Sequence, residues 1–168
     1  LLERIREIRV SERRYYQKIT DVYAECSADY DPKAETTLQF FKRVQDMMYW
    51  ATSHQTATEI IYSRADAQKP HMGLTTWKKA PDGRVQKSDT IVAKNYLSDS
   101  ELSQLNLITT AFLDMAESRA ARHIVSTMDD WKKFLQQYLA TMDYEPCDTA
   151  GKVTQEEARD KAYSEYEK

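Results

Sequence analysis

The chain has 168 residues, with 24 Lys and Arg against 27 Asp and Glu, a formal net charge of −3, and only 3 Gly and 4 Pro. That composition predicts one soluble domain with a core of its own, and excludes collagenous, disulfide-rich and low-complexity chains. No apolar run reaches the roughly 18 to 20 residues that cross a bilayer, and Leu1 to Arg9 is too charged for a secretory signal, so neither membrane insertion nor export is expected.

Cys26 and Cys147 match no metal or redox spacing, which predicts reduced thiols and a cytoplasmic protein. The helix-breaking residues cluster at Pro32, at Pro70 and Gly73, at Pro81 and Gly83, and at Pro146 and Gly151. Because Gly and Pro punctuate secondary structure, this spacing predicts an all-α fold: about six helices with one small β-hairpin insertion, in a single domain over residues 1–168.

Residues 1–24 read as a long N-terminal connecting helix. Leu1, Ile5, Ile8, Glu12, Tyr15, Ile19 and Val22 form a heptad seam broken only by Glu12, and Tyr16 and Tyr23 broaden it. The seam fits a dimerising helix or a helix packed on its own domain. The pattern starts without an N-cap, so a segment preceding Leu1 is expected.

A second helix is expected from Asp31-Pro32 to about Trp50, with Leu38, Phe41, Val44 and Met48 inward. A third follows Thr52 and Ser53, carrying Ala57, Ile60 and Ile61 as far as Arg64, Ala65 and Asp66. Residues 68–92 read as an irregular or hairpin segment, with a β-compatible Leu74 to Lys78, turn chemistry at Pro81-Asp82-Gly83 and a return to about Ile91.

The C-terminal helices occupy residues 98–168. A capping box at Ser98 and Glu101 opens a core helix with Leu102, Leu105, Ile108, Thr109, Phe112, Leu113, Ala116 and Ala120 on one face. The next starts at Thr127, turns Met128, Trp131, Phe134, Leu135, Tyr138, Leu139 and Met142 inward, and ends before Pro146. A capping box at Thr154 and Glu157 opens the last, with Ala158, Ala162 and Tyr166 on one side.

Charge is uneven along the chain: residues 1–63 carry −1, residues 64–98 carry +4 and residues 99–168 carry −6. Within the basic stretch, Arg64, Lys69, Lys78, Lys79, Arg84 and Lys87 surround His71 and Trp77. Such a set suits phosphate or single-stranded nucleic acid. It equally suits a solvated hairpin whose lysines guard its edges.

Candidate ligand-binding residues are Arg64, Asp66, Lys69, His71, Trp77 and Lys78. His71 would be the acid or base, Arg64 and Lys78 the anion contacts, and Trp77 the stacking surface. The competing reading makes His71 structural. His54, His71 and His123 lack the i, i+4 spacing of a helical metal site, so no metal and no cofactor is predicted. Asp129-Asp130 and Glu156-Glu157 fall in first helical turns, where acidic side chains favour the helix dipole. Three glycines leave no room for a nucleophile elbow or a phosphate-cradling loop.

Four strings carry a resemblance: Ser11-Glu12-Arg13-Arg14-Tyr15-Tyr16-Gln17-Lys18, Asp29-Tyr30-Asp31-Pro32-Lys33-Ala34, Lys69-Pro70-His71-Met72-Gly73-Leu74-Thr75-Thr76-Trp77-Lys78 and Lys94-Asn95-Tyr96-Leu97-Ser98. Over essentially its whole length the chain resembles the bacterial virulence protein RhuM family. In that family this region follows a segment resembling phage-type DNA-binding domains, and related regions occur beside Fic domains. The Fic motif His-Pro-Phe-x-x-Gly-Asn is absent here, so Fic chemistry is not carried over.

The resemblance supplies no reaction, and whether the chain is an enzyme stays open. The expected function is a non-enzymatic helical interaction and oligomerisation module, forming a homo-oligomer through its N-terminal helix. DNA is the partner expected of an upstream segment, and no membrane partner is expected. The alternative is a phosphate- or nucleic-acid-binding site, catalytic through His71, in residues 64–96.

Overall fold

The computed structural model describes residues 35–168, without the side chains of Thr36, Thr37, Leu38, Phe41, Leu113, Ala116 and Ala120. The N-terminal heptad helix, the Asp31-Pro32 start, Cys26, and the inward positions of Leu38, Phe41, Leu113, Ala116 and Ala120 lie outside that description.

Five α-helices follow in order: α1 (Glu35–Ser53), α2 (Ala57–Arg64), α3 (Asp99–Ala121), α4 (Met128–Thr141) and α5 (Gln155–Tyr166). Between α2 and α3 the chain makes three short 3-10 turns, Pro70–Gly73, Lys87–Asp89 and Ala93–Tyr96. No strand occurs among the described residues. The expected six helices with a β-hairpin insertion are therefore corrected to five described helices and a hydrogen-bonded, strandless insertion.

The reason lies in where the insertion sends its backbone donors. Thr75 and Thr76 both donate their N–H to the Asn95 carbonyl, at 2.7 and 3.3 Å. The Lys78 and Gln86 N–H groups go to the Asp89 carboxylate, at 3.2 and 2.9 Å. One buried side chain thus takes donors that a ladder would have paired with backbone carbonyls.

α1 is amphipathic in two directions, and this organises the core. Phe40, Val44, Met47, Met48 and Ala51 pack against Ile108, Phe112, Trp131, Leu135, Leu139 and Cys147. On its other side Tyr49 joins a second cluster with Ile60, Ile61, Leu74, Trp77, Tyr96, Leu97, Leu102, Ala158 and Ala162. Leu105 packs against both clusters and stitches them together. Fully buried side chains such as Ile108 and Leu135 each contribute about 1.5–3 kcal/mol by leaving water.

Helix starts are fixed locally. Thr127 Oγ1 accepts the Asp130 N–H and Asp130 Oδ2 accepts the Thr127 N–H, at 3.2 and 2.9 Å, closing the box that starts α4. Thr154 and Glu157 do the same for α5, and Ser98 and Glu101 for α3. The face of α4 turns Trp131, Leu135 and Leu139 inward, but Met142, read as inward from sequence, is 54% exposed. It lies beyond the end of α4 at Thr141, where the helical register no longer controls it.

Candidate functional site

The basic insertion is built on the end of α2. Arg64, in its last turn, is held in a fork by Glu101: Nη1 and Nη2 donate to Oε2 and Oε1, both at 2.7 Å. Nη1 also donates to the Tyr96 carbonyl at 3.0 Å. The Glu101 hydrogen bond raises the pKa of Arg64, and Arg64 lowers that of Glu101. The guanidinium is thus committed to holding α2 against α3.

Asp66 is engaged with its own turn, its Oδ1 accepting the Gln68 N–H at 2.9 Å and its Oδ2 lying 4.0 Å from Lys69 Nζ. The chain then turns left-handed for three residues, with φ of 53° at His71, 59° at Met72 and 81° at Gly73. Non-glycine residues in this region cost on the order of 1–3 kcal/mol each and persist only where surroundings enforce them. Here the enforcing bonds are Asp66 N–H to the Met72 carbonyl, Met72 N–H to Lys69 and Leu74 N–H to His71, at 3.2, 3.0 and 3.1 Å. A side chain at Gly73 would begin 2.4 Å from the Arg64 carbonyl oxygen, so the turn sits directly on the α2 end.

The strained turn places the His71 imidazole on the Trp77 indole, with ring centroids 4.5 Å apart and planes tilted by 34°. Trp77 is buried and its Nε1 donates to the Gly83 carbonyl at 2.6 Å, whereas His71 is exposed. Lys78 and Lys79 are exposed, with Lys78 anchored through its backbone to Asp89. Of the six residues selected from sequence, the fold brings His71 and Trp77 into contact and pairs Asp66 with Lys69. Arg64 is turned to Glu101, and the exposed ring is His71 in place of Trp77.

Lys87 leaves this group for α5. Its Nζ donates to Glu167 at 2.9 Å and lies 4.4 Å from the centre of the Tyr163 ring. The charge pair and its hydrogen bond raise the Lys87 pKa. Nearby, Glu165 accepts from Lys161 at 2.6 Å, Lys168 at 2.9 Å and the Ala67 N–H at 2.9 Å, which together hold its pKa at about 2.

A cleft of about 990 Å³ opens on another side of the same lobe. α1 contributes Gln39, Lys42, Gln45, Asp46 and Tyr49, α2 contributes Ala57, Thr58 and Ile61, and α5 contributes Gln155, Glu156 and Arg159. Ile91, Val92 and Ala93 form its remaining wall, with Ile91 and Val92 exposed. Asp46 is buried, accepts the Ala57 N–H at 3.3 Å, and has its pKa raised by that burial. The carboxylate therefore acts as a cap for the first turn of α2. Sequence reading missed this cleft, because its walls come from three helices and a loop whose neighbours are set only by folding.

A match to the Virulence protein RhuM family covers residues 1–168, the whole chain. The chain belongs to that family. No curated protein and no solved structure matches it. For this RhuM chain, no helix among the described residues is long and apolar enough to cross a membrane. Cys147 is a free, buried thiol whose pKa is raised by burial; Arg43 Nη1 lies 3.8 Å from its sulfur and donates to the Thr149 carbonyl at 2.7 Å.

Proposed function

We propose that this RhuM chain is a non-enzymatic helical interaction module that self-associates through the apolar seam of residues 1–22. The observation that carries the reading is the heptad spacing of Leu1, Ile5, Ile8, Tyr15, Ile19 and Val22, a pattern of the kind that pairs helices. Every carboxylate with a depressed pKa among the described residues is engaged in holding the fold: Glu101 with Arg64, Asp130 and Glu157 in capping boxes, and Glu165 with two lysines. Glu59 belongs with them, since the Thr56 and Lys152 N–H groups outweigh its partial burial. These groups are committed to the fold of the described residues 35–168.

The test is light scattering on the 168-residue chain beside an Ile8→Glu/Ile19→Glu variant. The expected result is a dimer or larger assembly for the parent and a folded monomer for the variant, with helicity checked by circular dichroism. A parent that stays monomeric as concentration rises contradicts the proposal.

A further inference from the structure

We infer that the surface around His71 binds single-stranded nucleic acid, with a base stacked on the imidazole and the strand's phosphates on Lys69, Lys78, Lys79 and Arg84. This is a binding activity separate from self-association.

Contacts tie His71, Trp77, Lys69 and Lys79 to the two glycine turns of the insertion, and Lys78 and Arg84 are their exposed sequence neighbours. The imidazole lies 4.5 Å from the indole of Trp77, whose Nε1 is tied to the Gly83 carbonyl. Lys69 Cδ lies 3.7 Å from where a side chain at Gly73 would start, beside His71. At the glycine that anchors the indole, the Lys79 stem packs with Cδ 3.3 Å from the Gly83 Cβ position. Lys69 and Lys79 thus pack beside the two glycine turns next to the ring pair, Lys69 at Gly73 and Lys79 at Gly83.

The stack has an inner and an outer member. Trp77 is 5% exposed and its N–H is spent, so it supports and does not itself contact a ligand. It covers one side of an exposed imidazole, leaving the outer side for a further aromatic layer. Single-stranded nucleic acids are recognised by such layers, bases stacking on aromatic or imidazole rings while cations track the backbone.

Preorganisation strengthens the case. Two successive non-glycine residues in the left-handed region set the backbone at His71, and the Trp77 indole holds its ring at 4.5 Å. Lys78, Lys79 and Arg84 are exposed and make no ion pair with a described residue. Of the nearby carboxylates, Asp66 pairs with Lys69 at 4.0 Å and Asp89 is buried on backbone donors, which leaves Lys78, Lys79 and Arg84 as the cations of this surface without an ion pair among the described residues.

Fluorescence anisotropy with a labelled single-stranded oligonucleotide, titrated with the full chain over a range of salt, tests this. Saturable binding that weakens steeply with salt is expected. Lys78→Ala/Lys79→Ala should reduce the slope of log affinity against log salt by about 1.4, the share of two phosphate contacts. His71→Asn, which tolerates the left-handed backbone, should weaken binding about tenfold while leaving binding to an abasic strand unchanged. Lys132→Ala/Lys133→Ala on α4 serves as the control and should change nothing. The inference is overturned by flat titrations at low salt, by a duplex binding as tightly as the single strand, or by a folded His71→Asn chain that binds like the parent.

Discussion

Arg64 and Glu101, 37 residues apart in the chain, meet in a two-pronged ion pair with both nitrogen–oxygen distances at 2.7 Å. The same guanidinium reaches the Tyr96 carbonyl, and the same carboxylate accepts the Ser98 N–H that begins α3. One pair thereby locks the end of α2, the end of the irregular insertion and the start of α3.

Arg64→Ala should cost about 2 kcal/mol, taking charged hydrogen bonds at their usual worth and discounting for partial exposure. For a chain of this size that is a fall in Tm of about 4–8 °C. Arg64→Lys should recover only part of it, because an ammonium cannot reproduce the fork. Thermal melts of the two variants check both statements.

Glu165 ties the C-terminal helix to the turn after α2, and its depressed pKa gives a pH signature. A carboxyl at about 2 in the fold and near 4.5 when unfolded adds stability that is complete above the unfolded value. It is lost as pH falls through that window toward the folded value. Glu101 acts in the same direction. Urea midpoints measured from neutral pH down to pH about 3 should fall for the parent and fall less for Glu165→Gln.

Much of the helical layout was legible because its signals are short-range. The boxes at Ser98 and Thr154 and the cap at Thr127 each rest on residues three apart, and all three form. The boundary between α1 and α2 was misread for a local reason too. Thr52 and Ser53 resemble caps, yet their hydroxyls donate back to the Tyr49 carbonyl at 3.0 and 2.8 Å and stay inside α1. The box that starts α2 is Thr56 with Glu59, and His54 turns the chain at a φ of 54°.

The insertion and the site were less legible because their determinants are distant. Nothing near Thr75 announces that Asn95 will accept its N–H, or that Asp89 will serve Lys78 and Gln86. Arg64 looked like a free cation because its partner lies beyond the insertion. His71 and Trp77 were selected for their chemistry, but which would be exposed followed only from the fold.

Gly73→Ala should destabilise the domain by about 2 kcal/mol or more, since φ there is 81° and the new methyl would meet the Arg64 carbonyl oxygen at 2.4 Å. The relief available is small, because the obstacle is backbone. Chemical denaturation at neutral pH measures it.

Asp46→Asn should be neutral or slightly stabilising at neutral pH. Burial raises the pKa of this carboxyl, so above its folded value the buried charge works against the fold. An asparagine carbonyl still accepts the Ala57 N–H and removes that cost. Asp46→Ala, which abandons the cap, should lose about 1 kcal/mol. The pair of denaturation curves separates charge from capping.

Self-association is the central claim, and sedimentation equilibrium of the 168-residue chain over a wide concentration range tests it most directly. The expected result is a mass that rises with concentration to at least twice the 19.6 kDa of one chain. A mass that remains at one chain throughout contradicts it.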